Sequence, residues 1–351
     1  VASLARLSVS VALCTHNGAA FVEEQVASIL AQRPAPLELV VGDDASTDDT
    51  VSRVELAYEQ ARAADPRMST RLILIRRTPA LGIVRNFEAT LAECSGDLIA
   101  LSDQDDIWNP GRLEALSAEF EADDDLLLVH SDARLVDEER HPLGLTLLGA
   151  LEASATERRL LTSGDALPVL LRRSLVTGAT VMIRSRLRDI ATPFPEDWVH
   201  DEWLAVVAAS VGRMRLLPEA LTDYRQHGGN QIGARRVTMA DRWRKLREPR
   251  DGRAAWLSRR TATLAERARA LGVPTDVQDE LDAKAAHEAA RLQLPSFPLW
   301  RVPAVVVAAV SGRYGRYSRG AIDVLRDLVQ PASAAAGGPS DQLPYHFNGR
   351  P

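Results

Sequence analysis

The stretch Asp97-Leu98-Ile99-Ala100-Leu101-Ser102-Asp103-Gln104-Asp105-Asp106-Ile107-Trp108 runs from an apolar tetrad straight into three carboxylates within four positions. A buried strand ending in clustered acids is costly: two carboxylates about 4 Å apart repel by roughly 4 kcal/mol at an effective dielectric of about 20. Such a cluster is solvated, protonated or bound to a cation. The neighbouring Leu101, Ile107 and Trp108 argue against a fully exposed turn. A divalent cation is the natural partner, because carboxylate oxygens suit Mg or Mn. In an extended Asp-x-Asp segment alternate side chains point the same way, so Asp103 and Asp105 can face one site.

Upstream, short apolar runs alternate with amphipathic segments, the pattern of a mostly parallel sheet covered by helices. Strands are predicted at Val9 to Cys14, Leu37 to Asp43, Arg71 to Arg76, Asp97 to Ser102 and Leu126 to Ser131. Helices fall near Phe21 to Ala31, Thr47 to Ala64, Ile83 to Cys94 and Pro110 to Glu121, the last with Asn109 as its cap. Ligands bind outside the carboxyl ends of the strands in open parallel sheets. Thr15-His16-Asn17-Gly18, Asp43-Asp44-Ala45-Ser46 and the acidic cluster all fall at such ends.

From Ala133 to Gly233 the pattern reads as the second half of the same domain, with a helix around Thr156 to Leu171, a strand near Ala179 to Ile183, a helix opened by His200-Asp201-Glu202-Trp203 and a strand from Arg213 to Leu217. The organisation is then a domain over 1–233, divided into 9–105 and 106–233, a helical region over 234–330 and a disordered Pro/Gly/Ser/Ala-rich tail over 331–351. The 351 residues suffice for a large core. A hydrophobic content of 46%, a charged content of 26% and a formal charge of -6 describe a globular chain with no general case for nucleic-acid binding.

Charge is uneven. Arg235 to Arg260 holds ten Lys or Arg against three Asp or Glu. With Met239, Trp243 and Leu246 at helical spacing, this segment fits a solvated helical face or an interfacial helix drawn to anionic lipid. Only Cys14 and Cys94 are present, which excludes a disulfide framework or a cysteine-built zinc site. No secretory signal is evident, and the apolar run Val302 to Val310, broken by Pro303, is too short to span a bilayer. A cytoplasmic protein is expected, with peripheral contact at the inner face of the plasma membrane if 235–260 is interfacial.

Each polar motif has a plain structural use. Asp43 and Asp44 can serve the start of the next helix with Ser46 as cap, or accept from a nucleobase N–H or ribose hydroxyl. Asp201 can cap its helix or act as a general base. His227, in Arg225-Gln226-His227-Gly228-Gly229-Asn230, can be structural, reach a phosphate or complete a metal shell.

In their order, Ser10 to Gly18, Val41 to Asp48, Leu81 to Phe87, Gly96 to Trp108, His200 to Leu204 and Tyr224 to Asn230 resemble the family 2 glycosyltransferases of GT-A fold, and most closely the bacterial rhamnosyltransferase-like branch. The resemblance covers about residues 9 to 233. It implies a GT-A Rossmann-like α/β domain with a helical C-terminal extension, a nucleotide-diphosphate sugar donor, a divalent metal (Mg or Mn) and inversion at the anomeric carbon. By position it makes Asp201 the catalytic base and Asp105 and His227 the metal ligands. Thr15, Asn17, Asp43, Asp44, Arg85, Asp103 and Arg225 would bind the nucleotide sugar, and Gly178, Glu202 and Trp203 would lie on the acceptor side. Rhamnose from dTDP-rhamnose is the preferred donor, with a UDP-hexose or a furanose donor as alternatives. A cell-surface polysaccharide or its lipid-linked precursor is the acceptor the resemblance implies. The C-terminal helices are compatible with dimerisation or lipid contact. A sugar nucleotidyltransferase and a non-catalytic nucleotide-sugar-binding protein are the competing readings.

Overall fold

The computed structural model describes residues 6–228 and 249–331. The chain divides into two compact units: residues through Ala166 together with Leu175–Gly228, and Leu167–Ser174 together with the described residues 249–331. The elements of the first are β1 (Val9–Thr15), α1 (Val22–Leu30), β2 (Glu38–Asp44), α2 (Thr50–Ala64), β3 (Arg71–Arg77), α3 (Ile83–Ala92), β4 (Leu98–Ser102), β5 (Ile107–Trp108), α4 (Arg112–Ala122), β6 (Leu126–Val136), β7 (Pro142–Thr146), α5 (Leu147–Ala150) and α6 (Ala155–Ser163). After α7 (Leu167–Leu170), which belongs to the second unit, follow β8 (Val181–Arg184), α8 (Ser185–Ala191), α9 (His200–Val211) and β9 (Arg213–Arg225).

One sheet orders its strands β3-β2-β1-β4-β8-β6-β9-β5, with β7 beside β6. The block β3-β2-β1-β4 is parallel, as is β6 with β9, whereas β8 runs antiparallel to both β4 and β6. Every residue of β1, β2 and β4 is buried, which fits parallel strands covered on both faces. Against them α1 lays Val22, Val26, Ile29 and Leu30 at helical spacing. Each such side chain, fully buried, contributes about 1.5–3 kcal/mol.

Four local expectations are corrected. Asn109 does not cap α4; its amide donates to the Ala220 carbonyl at 2.9 Å, and Gly111, left-handed at φ 81°, precedes the helix. The helix expected over 156–171 is broken at left-handed Gly164, leaving α6 and α7, with Ser154 and Glu157 capping α6 reciprocally. The strand expected from Ala179 begins at Val181, because Gly178–Thr180 forms a 3₁₀ turn. The strand expected to stop at Leu217 continues to Arg225; its polar end was unreadable as strand because Thr222, Asp223 and Arg225 are buried against polar partners.

Two buried histidines each disfavour the folded first unit as pH falls. Burial lowers His130 to about 4 and His200 to about 3, so the folded chain keeps both neutral where the unfolded chain binds protons. Their contribution is present above about pH 6.5 and is lost as pH falls toward those lowered values. At about 1.4 kcal/mol per unit, His130 alone contributes roughly 3 kcal/mol. The urea midpoint of His130→Phe is expected to gain on that of wild type as pH falls from 7 to 4, because the variant has no proton to refuse at that position.

The second unit is helical: Arg250–Leu271, Thr275–Leu292, Pro298–Val310, Arg313–Tyr317 and Ala321–Val329. Its interior carries an ion network. Lys284 pairs with Glu288 at 2.5 Å, Glu288 with Arg291 at 2.8 Å, and Arg291 with Asp327 at 2.6 Å. Tyr314 donates to Asp327 at 2.7 Å. Burial works to raise the Glu288 carboxyl, but Lys284 and Arg291 hold it below the usual range. In the described part of the basic segment, Arg250, Trp256 and Arg260 are buried, Arg250 donating to the Arg291 carbonyl at 3.0 Å and Arg260 lying over the Trp256 ring at 4.4 Å. Those three residues therefore belong to neither a solvated nor a lipid-facing surface. Gly229 and Asn230, the rest of the basic segment (235–248) and the tail from 332 lie outside the described residues.

Candidate active site

The loops after β1, β2 and β4 meet at one edge of the sheet. Four successive amides of the first loop each donate to a side chain of another: His16 to Gln104 at 2.8 Å, Asn17 to Ser46 at 2.9 Å, Gly18 to Thr50 at 2.8 Å and Ala19 to Asp48 at 3.1 Å. Gln104 also returns a bond to the His16 carbonyl at 3.1 Å. A Cβ on Gly18 would lie 2.2 Å from the Gln104 amide oxygen, so a larger residue there would push the Gln104 side chain off its bonds to His16. Asp43 accepts from Thr15 at 2.8 Å and from the Ser46 amide at 3.0 Å, while Asp44 accepts from the Leu81 and Gly82 amides at 2.7 and 2.8 Å.

The acidic loop is held from behind by β9. The Arg225 amide donates to Asp106 at 3.1 Å, and its guanidinium donates to the Asp105 carbonyl at 2.9 Å, pairs with Glu24, bonds the Glu138 carbonyl and lies 4.8 Å over the Phe21 ring. Two residues on, His227 Nε2 sits 2.8 Å from Asp105 Oδ2, its ring 4.6 Å from Phe21. Burial and the charges of Asp105 and Asp201 push the Asp103 carboxyl up to about 8, and burial with Asp105 and Asp103 drives Asp106 up as well. Opposite them lies Arg112, fully buried 4.2 Å over the Trp108 ring and donating to the Ala179 carbonyl at 2.7 Å. Burial lowers its guanidinium to about 9 against the pull of Asp106 and Asp103.

One buried oxygen of Asp106 makes no hydrogen bond among the described residues. Asp105 and His227 are the two groups that would hold a divalent cation there, the other positions being left to water and phosphate. Asp137, Glu139 and His141 also bring ligand atoms within 4.8 Å of one another, on the exposed turn between β6 and β7, where acids are common without an ion.

Asp201 opens α9 with its carboxylate already fixed. Oδ2 accepts from the Gly178 amide at 2.8 Å and Oδ1 from the Glu202 amide at 2.7 Å. The preceding His200 is buried and stacks on Phe87 with centroids 3.9 Å apart. A Cβ on Gly178 would stand 2.8 Å from His200 Nε2. Gly178→Ala should therefore cost about 1–3 kcal/mol, read as a lower Tm, as overpacked sites do.

The structure thus gathers Thr15, Asn17, Asp43, Asp44, Asp103, Asp105 and His227 around these loops, with Asp201 near enough to act on Asp103. Arg85 lies on α3, 41% exposed along its side chain and paired with Glu88 at 2.6 Å. Three expectations need correction. Trp203 is wholly buried and donates to the Ala191 carbonyl at 2.8 Å, so it faces the core and not an acceptor. Gly178 is buried too, and acts through its amide on Asp201. Arg225 spends its guanidinium on the loop backbone and Glu24, which makes it a positioning residue instead of a nucleotide-sugar ligand. Glu202 is half-buried at the first turn of α9.

The sequence reading missed Gln104, Arg112 and the cluster under β2. There Arg77 donates to Asn86 at 2.8 Å and Asn86 to the Gly42 carbonyl at 2.8 Å. An amide set among three acids, and the first cation after them, were the available signals.

The model of the family described as "Glycosyl transferase family 2" matches residues 10–177. An uncharacterized glycosyltransferase of Haemophilus influenzae is 26% identical over 226 residues, 63% of this chain and 66% of the relative, so the chain spans just under two thirds of that relative's length. The dTDP-rhamnosyl transferase RfbG of Shigella flexneri is 29% identical over 105 residues, 29% of this chain and 34% of RfbG. Among solved structures, S. aureus TarS 1-349 in complex with UDP-GlcNAc gives a TM-score of 0.56 at 18% identity, covering 91% of this chain and 90% of that one. At that identity the likeness concerns the fold: the GT-A sheet flanked by helices, followed by C-terminal helices.

Proposed function

We propose that this chain is a glycosyltransferase of family 2, an inverting, metal-dependent enzyme that moves a sugar from a nucleotide diphosphate to an acceptor hydroxyl. The observation carrying this reading is the 2.8 Å approach of His227 to Asp105 within an acidic loop that Arg225 and Gln104 lock in place. Asp105 and His227 would hold Mg or Mn, which would supply Lewis-acid neutralisation of the diphosphate's charge. Asp103 takes the ribose, and Asp43 and Asp44, with Thr15 and Asn17 ordering the loop above them, form the nucleobase end. Arg85 is assigned to the nucleotide as well.

Asp201 takes the proton of the acceptor hydroxyl as that oxygen bonds to the anomeric carbon and the bond to the diphosphate breaks with its electron pair. The Gly178 and Glu202 amides aim its carboxylate. Glu202 is left as the acceptor-side residue of the original three. Splitting leaving-group stabilisation from the base suits an oxocarbenium-like transition state.

The nucleotidyltransferase alternative needs free amides after the first strand to cradle phosphate, whereas those of His16 to Ala19 are given to side chains. A non-catalytic sensor has no use for a buried carboxylate aimed as Asp201 is. The RfbG relative supports dTDP-rhamnose as donor, ahead of a UDP-hexose or a furanose donor. The acceptor is assigned to a surface polysaccharide or its lipid-linked precursor, made at the cytoplasmic side. Among the described residues no helix is long and apolar enough to cross a membrane.

The test is release of nucleoside diphosphate from a panel of nucleotide sugars, with Mg or Mn and then with chelator. A metal-dependent signal greatest with dTDP-rhamnose is expected. Turnover unaffected by chelator would overturn the metal assignment, and preference for another donor would overturn rhamnose alone.

A further inference from the structure

The two outer helices of the second unit are turned inside out. A helix on a globular surface normally gives its apolar stripe to the core and its charges to water. Along Ala321–Val329 the reverse holds: Asp323 and Asp327 are buried, while Ile322, Leu325 and Val329 are 51%, 49% and 54% exposed. Helix Pro298–Val310 buries Arg301 and Val305 and exposes Leu299, Trp300, Val306, Val307 and Val310, the last at 84%. The two helices are tied together from within, Arg301 donating to the Asp327 and Gln330 carbonyls at 3.0 and 2.7 Å. Exposed apolar surface on this scale marks an interaction site.

Charge selects the partner. Between Glu288 and Asp323 the chain has no acidic residue, but it has Arg313, Arg316 and Arg319, all exposed, directly after the apolar helix. Arg316 pairs with Glu280. Apolar side chains including a tryptophan, bordered by arginines with no intervening acid, match the acyl and headgroup layers of an anionic bilayer. A protein partner of apolar face would not need the arginines. We infer that the outward faces of Pro298–Val310 and Ala321–Val329 dock on an anionic lipid surface. This surface is made of other residues than the basic segment 235–260, of which Arg250, Trp256 and Arg260 face inward.

Sedimentation of the full chain with vesicles tests the inference. Binding to phosphatidylglycerol–phosphatidylcholine vesicles, and much weaker binding to phosphatidylcholine alone, is expected. Val307→Glu with Val310→Glu should weaken it roughly tenfold or more, given the apolar burial removed. Arg313→Glu with Arg319→Glu should abolish the preference for phosphatidylglycerol. If the glutamate variant misfolds by circular dichroism, Trp300→Phe serves instead: the emission shift induced by vesicles should shrink against wild type. Failure of the wild type to sediment would overturn the inference, as would equal binding by every variant. Self-association in sedimentation velocity that Val307→Glu with Val310→Glu abolishes, without vesicle binding, would overturn it in favour of a second copy of this chain.

Discussion

Asp201→Asn should lower glycosyl transfer by about 10²- to 10⁴-fold, the range a positioned general base supplies, while nucleotide-sugar affinity stays within about twofold. The substitution keeps the shape of the side chain and removes its basicity. It also has a local cost: both carboxylate oxygens accept amides, from Gly178 and Glu202, and the Asn side chain must turn an NH₂ toward one of them. That loss is on the order of 1–3 kcal/mol of stability, so thermal melting must accompany the kinetics. Donor affinity by calorimetry, measured well below the variant's Tm, separates the two effects. Unchanged affinity with crippled turnover is the expected pattern; equal loss of both would deny Asp201 its separate role.

Asp105→Ala should act on the other half of the reaction, weakening metal-dependent donor binding at least about 100-fold, since even outer-sphere partners of a metal are worth 10- to 100-fold. The variant strips one of the two groups that approach to 2.8 Å and leaves His227 without its partner carboxylate. Titration of nucleoside diphosphate with Mn, then with chelator, reads the effect directly. In wild type chelator should abolish tight binding; in the variant it should change little, because the metal-dependent part is already gone. His227→Ala should fall between the two. A variant that bound donor tightly and still responded to metal would move the cation to other residues.

Much of this architecture was legible because the signals were local. Strand-helix alternation with apolar runs located β1, β2, β3 and β4 to within a residue or two, and the polar motifs at their ends were brought together by parallel topology alone. What was not legible depends on partners far apart in sequence. β9 was cut short because Thr222, Asp223 and Arg225 read as loop, and only their contacts with Arg112, Arg134 and the acidic loop let them sit buried in a strand. Trp203 was placed on the acceptor side because it follows the catalytic base by two positions, yet its ring turns inward to lie 5.5 Å from that of Trp198. Arg225 was placed with the nucleotide sugar by the family resemblance of its motif. Nothing in the sequence says that its donors are spent on Asp105 and Glu138 backbone oxygens.

The comb of side chains that holds His16 to Ala19 has a consequence for exchange with solvent. Amides of β1 are locked by neighbouring strands on both sides and release their hydrogens only when the sheet as a whole opens. The four loop amides are locked by Gln104, Ser46, Thr50 and Asp48 instead, each a single rotatable side chain. Deuterium should therefore enter there through small, independent openings, and occupation of the site by a nucleotide should slow it at these four positions while leaving the strand behind them unchanged.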